Sequence, residues 1–220
     1  TRVQHLLTNI LRWFDSEAGS DHIDTTSRSF NFLRVIPFIA LHLACLLAIY
    51  TGASAFAVGF AIAFFLVRMF AITGFYHRYF AHKTFKTSRP AQRGPLWWAA
   101  HHRHHHQHSD DEQDLHSPHQ GGFWWSHMGW FTCDAGFATD ERRIRDWLKF
   151  PELKLINRFD SLVPALAAVG IYGLGEALAA WAPGLGTNGL QLLVWGFFIS
   201  TVVLFHATVS INSLSHVWGK

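Results

Sequence analysis

Residues 32–50, FLRVIPFIALHLACLLAIY, and 53–75, ASAFAVGFAIAFFLVRMFAITGF, are apolar runs separated only by Thr51 and Gly52. A helix rises about 1.5 Å per residue and the hydrocarbon layer takes about 20 apolar residues to cross, so each run can span a bilayer. The glycine between them makes the pair a tight hairpin. Outward from it the pattern repeats: Leu162 to Trp181 and Leu190 to Val209 are two further spans, with APGLGTNG (182–189) supplying the breakers. The expected fold is therefore all-α, a multi-pass membrane protein with four transmembrane helices in two hairpins.

What lies outside the spans sets their orientation. Residues 1–14 carry Val3, Leu6, Leu7, Ile10, Leu11 and Phe14 at spacings of three and four, which reads as an amphipathic helix for a bilayer surface. A polar linker follows to residue 31. One domain over residues 1–220 is expected: this helix and linker, the first hairpin (32–76), a helical polar cap (77–160), and the second hairpin with a terminal segment (161–220). Residues 77–160 hold twelve Lys and Arg, residues 1–34 hold four, and the turns at 51–52 and 182–189 hold none. By the positive-inside rule the termini and the cap face the cytoplasm, across the inner membrane if the source is bacterial. The same topology explains the basic excess without a nucleic-acid partner. Trp124, Trp125 and Trp130 in the cap are expected to form part of an interfacial segment.

The cap contains residues 99–114, AAHHRHHHQHSDDEQD, with six histidines in eight positions followed by four carboxylates. Neutral imidazole is a common ligand for transition metals, although a flexible histidine tract has similar composition. Two more groups argue for a built site. His77 and His82 follow the second span, and Asn212 and His216 follow the fourth, four apart on one helix face. After an even number of crossings, all three groups emerge on one side. Within the cluster, His102, His105 and His106 share a narrow helical arc, but His101, His104, His105 and His108 also form a stripe, and spacing does not choose between them. On a regular helix His77 and His82 would point about 140° apart, so the helix is expected to end between them. Cys45 and Cys133 make no Cys-x-x-Cys site, which leaves nitrogen and oxygen ligands. Arg68 should snorkel or pair, Glu176 sits near a span end, and His42 reads as a hydrogen-bonded packing residue.

HRYFAHKTFK (77–86), HHRHHH (101–106), GGFWWSHMGW (121–130) and NSLSHVWG (212–219) together resemble the membrane fatty-acyl desaturases, specifically the acyl-CoA delta-9 type in its bacterial form. That resemblance implies a nonhaem centre of two iron ions. It assigns His77 and His82, then His102, His105 and His106, then His216 as ligands, with Asn212 reaching a metal through water. O2 is the implied co-substrate. A ferredoxin-, rubredoxin- or cytochrome b5-type protein, with its reductase, is the implied electron donor. Two departures stand out. The family's third histidine box lies beyond the NSxxH motif and is not reached by Lys220, and the stretch between the first two boxes is short. Both the missing box and a first residue that is Thr1 rather than Met are expected to reflect a fragment.

The implied chemistry is removal of two adjacent hydrogens from an unactivated acyl chain, leaving a cis double bond near C9. No side chain supplies such an oxidant, whereas iron with dioxygen does. Asp110 and Asp114 are expected to accept a hydrogen bond from a ligand's second ring nitrogen. The acyl tail would enter an apolar tunnel among the spans, with its thioester head or the acidic donor near Arg142, Arg143 and Arg145. A hydroxylase of the same histidine-box superfamily would add oxygen instead of removing hydrogen. A metal transporter would need polar ligands at mid-membrane, and His42, Arg68 and Glu176 offer no obvious pairing there.

Overall fold

The computed structural model describes residues 2–18, 27–82, 94–109 and 111–218. It is all-helical: the described residues form no strand, only an isolated bridge between Phe30 and Cys133. Seven elements carry the architecture. They are α1 (Arg2–Leu11), α2 (Phe32–Thr51), α3 (Ala55–Ala71, continuing as a π-helical stretch Ile72–Ala81), α4 (Pro95–Gln107), α5 (Pro151–Arg158), α6 (Leu162–Trp181) and α7 (Gly189–Trp218). The runs Phe32–Thr51, Ala55–Gly74, Leu162–Trp181 and Gly189–Trp218 are each long and apolar enough to cross a membrane. The chain divides into two compact units: residues 36–72 with 163–206, and residues 1–35, 73–162 and 207–220.

The first unit is the apolar one, and its surface explains its solvent. Leu43, Leu46, Ile49, Leu66, Val67, Phe70, Leu166 and Val169 are all exposed. A surface so continuously apolar is unfavourable in water and ordinary against lipid. Its interior is a small cluster of Ala57, Ile171 and Leu192 with Phe56, Phe60 and Phe64 packed around it. Gly52, at φ 64°, turns the first hairpin, and the Ser54 hydroxyl then caps α3 by accepting from the Ala57 N–H at 3.1 Å. Asn188 caps α7 in the same way, accepting from Gln191 N at 2.9 Å. Where the second hairpin closes, a Cβ on Gly175 would lie 2.6 Å from the Gly189 Cα, so only glycine admits this approach of the two backbones.

Ionisable side chains inside this unit find protein partners, as the scarcity of water favours. Arg68 donates to Ser200 Oγ at 2.5 Å and Thr201 Oγ1 at 2.8 Å. Glu176 accepts from Gly189 N at 3.0 Å. His42 donates from Nδ1 to the Phe38 carbonyl at 2.8 Å, which leaves its Nε2 to accept from His206 Nε2 at 3.1 Å. The histidine is hydrogen-bonded, and its partner is one that the spacing had not suggested.

In the second unit, α1 has an inverted surface. Val3, Leu7, Leu11 and Phe14 are exposed while Asn9 and Arg12 are buried. An amphipathic helix with its apolar stripe outward fits a bilayer interface rather than water. The core is Phe80, Leu96, Ala99, Ala100, Ile144, Trp147 and Leu153. It forms because Pro95 starts α4 without wasting an N–H and because α4 turns its alanines inward. Trp130 is buried and stacks on Trp97 at 5.7 Å, and Trp125 donates from Nε1 to the Leu115 carbonyl at 2.8 Å. Of the expected interfacial segment, Trp124 is exposed and Trp125 half-buried, whereas Trp130 is corrected to a core residue.

Candidate metal centre

Two elements deliver the first four imidazoles. The helix does not end between His77 and His82, as the α-helical angle suggested; it widens. Ile72–Ala81 is π-helical, and His82 N donates to His77 O at 3.2 Å, an i→i+5 bond. That wider turn places residues five apart on one face, and the two rings lie with centroids 4.7 Å apart. On α4, His102 and His106 are four apart and share a face, with ring nitrogens Nε2 to Nε2 at 3.0 Å.

Arg103, on the flank of α4 beside these histidines, holds the two elements together. It donates to both oxygens of Asp146 at 2.8 and 3.2 Å, to Arg143 O at 2.7 Å, and to Phe80 O at 2.8 Å. Trp147 Nε1 donates to that same Phe80 carbonyl at 2.9 Å. Phe80 sits between His77 and His82 in sequence, so this clamp fixes the pair against α4.

The result is a closed set: His77, His82, His102 and His106 each present one ligand atom, all within 4.8 Å of one another. Four imidazoles so close would repel if charged, and three of them are biased toward neutrality. Burial, then the neighbouring His106 ring, pushes His102 down to about 2, and burial lowers His77 and His106 as well. Metal fits this set on donor geometry. Two nitrogens at right angles on metal bonds of about 2.1 Å lie about 3.0 Å apart, the spacing of His102 and His106.

His105 faces elsewhere. Its Nδ1 donates to Asp114 Oδ2 at 2.9 Å, leaving Nε2 with its lone pair. Asp114 is 2% exposed. With His116 these residues form a second group whose ligand atoms also lie within 4.8 Å of one another. His216 joins at the edge, its ring centroid 4.9 Å from that of His105. The last turns of α7 are held in place by three bonds to the 117–127 segment. His119 Nε2 donates to His216 O at 3.0 Å, and Ser126 Oγ donates to Asn212 O at 3.1 Å. Because the Ser213 hydroxyl donates to Val209 O, its oxygen accepts from His127 Nδ1 at 2.9 Å.

The remaining members of the alternative stripe are bonded to other groups. His101 donates to Ala138 O, His104 to Gln113 O, and His108 pairs with Asp111. Asp110 lies outside the described residues. Arg142 is exposed and bonded to Asp140 at 2.9 Å, Arg143 is bonded to Asp140 and to the Gln107 side-chain carbonyl, and Arg145 is exposed. Sequence reasoning passed over His116 and His127; the signal available for His116 was its place two residues after Asp114.

Comparison with known proteins bears on the same arrangement. The chain is 30% identical over 210 residues to palmitoyl-monogalactosyldiacylglycerol delta-7 desaturase, chloroplastic, of Arabidopsis thaliana, covering 88% of this chain and 52% of that protein. It is 28% identical to sn-1 stearoyl-lipid 9-desaturase of Anabaena variabilis, covering 89% of this chain and 72% of that one. Over most of its length the chain is similar to fatty acid desaturases. A third relative, icosanoyl-CoA 5-desaturase of Limnanthes douglasii, is 31% identical over 84% of this chain and 52% of its own length. The chain thus spans about half the length of two of these desaturases. No family model matches it.

Proposed function

We propose that this chain takes part in O2-dependent desaturation of a long-chain fatty acyl lipid at a histidine-held pair of iron ions. The observation that carries the reading is the convergence of His77, His82, His102 and His106 within 4.8 Å from two separate helices. His105 and His216 would serve the second ion, with Asn212 reaching it through water. Two irons, reduced by an external electron-transfer protein, supply with O2 the oxidising power to remove hydrogen from an unactivated methylene.

The protein's own contributions follow from its contacts. The π-helical turn orients His77 and His82, and Arg103 keeps them against α4. Asp114 fixes the tautomer of His105 by accepting its Nδ1–H. The low proton affinity of His102 keeps its nitrogen available to metal at neutral pH.

An acyl thioester with its double bond near C9 is the substrate that the sequence resemblance favours, and the relatives' names include both CoA-linked and lipid-linked desaturases. The density of Lys and Arg in residues 77–160 supports a cytoplasmic position for the centre. Arg142, Arg143 and Arg145 are assigned to the anionic head group or the acidic donor.

The test is product analysis. Membranes containing the chain, supplied with saturated acyl-CoA or saturated acyl lipid, O2 and a reductant, should give an acyl product lighter by two hydrogens. A product heavier by one oxygen would replace the reading with hydroxylation, and an unaltered acyl pool with bound iron absent would remove it. Charge reversal at Arg142 and Arg145 should raise the Michaelis constant for acyl-CoA or alter the salt dependence of the donor; no change in either would withdraw their assignment.

A further inference from the structure

The motif GGFWWSHMGW (121–130) supplies no metal ligand, yet it touches both sides of the second donor group. Trp125 holds the Asp114 side. Its ring lies between Gly121 and Gly129, where a Cβ on either glycine would collide with it. Seated there, Nε1 donates to the Leu115 carbonyl at 2.8 Å, next to the Asp114 that orients His105. The two residues that follow hold the α7 side. Ser126 Oγ donates at 3.1 Å to Asn212 O, the carbonyl four residues before His216, and His127 Nδ1 donates to Ser213 Oγ at 2.9 Å.

These bonds fix the rotation of α7. Ser126 and Ser213 are fully buried, and His127 is 8% exposed. Turning the helix by one residue moves its side chains by about 100°, which would take Ser213 away from His127. An unpaired buried donor or acceptor costs about 1–3 kcal/mol, so one rotation is favoured over its neighbours. A segment that only filled space would be served as well by apolar side chains at 126 and 127, because replacing both members of a buried hydrogen bond is nearly neutral.

We propose that His127 is a positioning residue for the metal centre: through Ser213 it sets the rotation of the last turns of α7, and so the approach of His216 to the second donor group. This rests on the two-iron reading above, in which His216 serves the second ion. Because Trp125 anchors the Asp114 loop while Ser126 and His127 anchor α7, the short helical turn Phe123–His127 gauges the separation of His105 and His216, whose ring centroids lie 4.9 Å apart.

The test is made on the purified full chain, first metal-free and then loaded with iron. In metal-free His127→Phe, amide exchange over residues 207–218 should be faster than in the unaltered chain. In the loaded variant, one of the two irons should be held about 10-fold more weakly against a competing chelator, with the other held as before. His127→Asn, whose amide N–H can stand in for Nδ1–H, should restore both readouts. Ser213→Ala should match His127→Phe, and combining the two should add nothing further. Unchanged exchange and affinity in His127→Phe, equal weakening of both irons, or no recovery in His127→Asn would overturn the inference and leave the two-iron reading standing. An unaltered chain that holds fewer than two irons would overturn that reading, and the inference with it.

Discussion

Two of the histidine assemblies among the described residues solve opposite problems. In the apolar unit, His42 gives Nδ1–H to Phe38 O and takes a hydrogen from His206, so its two ring nitrogens are both used within the protein. In the other unit, His102 and His106 face each other with Nε2 atoms 3.0 Å apart while His77 and His82 crowd the same space. Tautomers can satisfy an isolated pair, but they leave convergent lone pairs when four rings meet. A histidine's neighbours, not its rarity or its depth in the chain, therefore separate structural rings from metal-binding ones.

The sharpest way to break this comparison is substitution on each side. His77→Ala or His102→Ala should abolish iron binding at the four-ring position and lower desaturation by more than about 100-fold, read by iron content and product analysis. His42→Phe should retain full iron and change stability by only about 0.6 kcal/mol, the usual scale for a hydrogen bond within a membrane domain. Equal iron loss in the two would erase the distinction. Asp114→Asn comes next: without a carboxylate to hold the His105 tautomer, iron affinity against a competing chelator should drop about 10-fold or more.

Arg103→Ala tests whether the clamp behind the four rings matters. Removing a bidentate, partly buried ion pair and two bonds to carbonyls should lower unfolding stability by roughly 2 kcal/mol, seen as a lower thermal midpoint in detergent. Arg103→Lys should recover little, because a point charge does not reproduce the fork.

The smallest effect is on pH. His101 and His116 are each pushed by burial down to about 4 from a normal value of 6.5. Between those values the unfolded chain binds more protons than the folded one, so metal-free stability should be flat above pH 6.5 and fall progressively toward pH 4. A midpoint that rises over that interval would mean that these rings are charged in the folded state.

The spans were legible because length and hydropathy are local properties, and the four long apolar helices fall where the runs predicted. The candidate ligands on α4 were only half legible. Spacing placed His102, His105 and His106 on one arc, but which of them share a centre depends on what α4 faces: His102 and His106 meet the π-helical turn, and His105 meets Asp114. The turn itself was misread, since nothing in HRYFAH distinguishes a wide helix from a terminated one until Arg103 and Trp147 are seen holding Phe80 O. His116 was invisible for a similar reason. Its partners are chosen by the fold of residues 111–117, not by a periodic pattern.

The π-helical turn ties the backbone to the occupant of the centre. An ordinary helix would swing His82 away from His77, so relaxation of Ile72–Ala81 to α-helical pitch would draw apart two of the four rings that would hold an ion. A chelator should therefore do more than empty the site: amide exchange in this decapeptide ought to quicken as the metal leaves, which makes a stretch of main chain the gauge of whether the centre is charged.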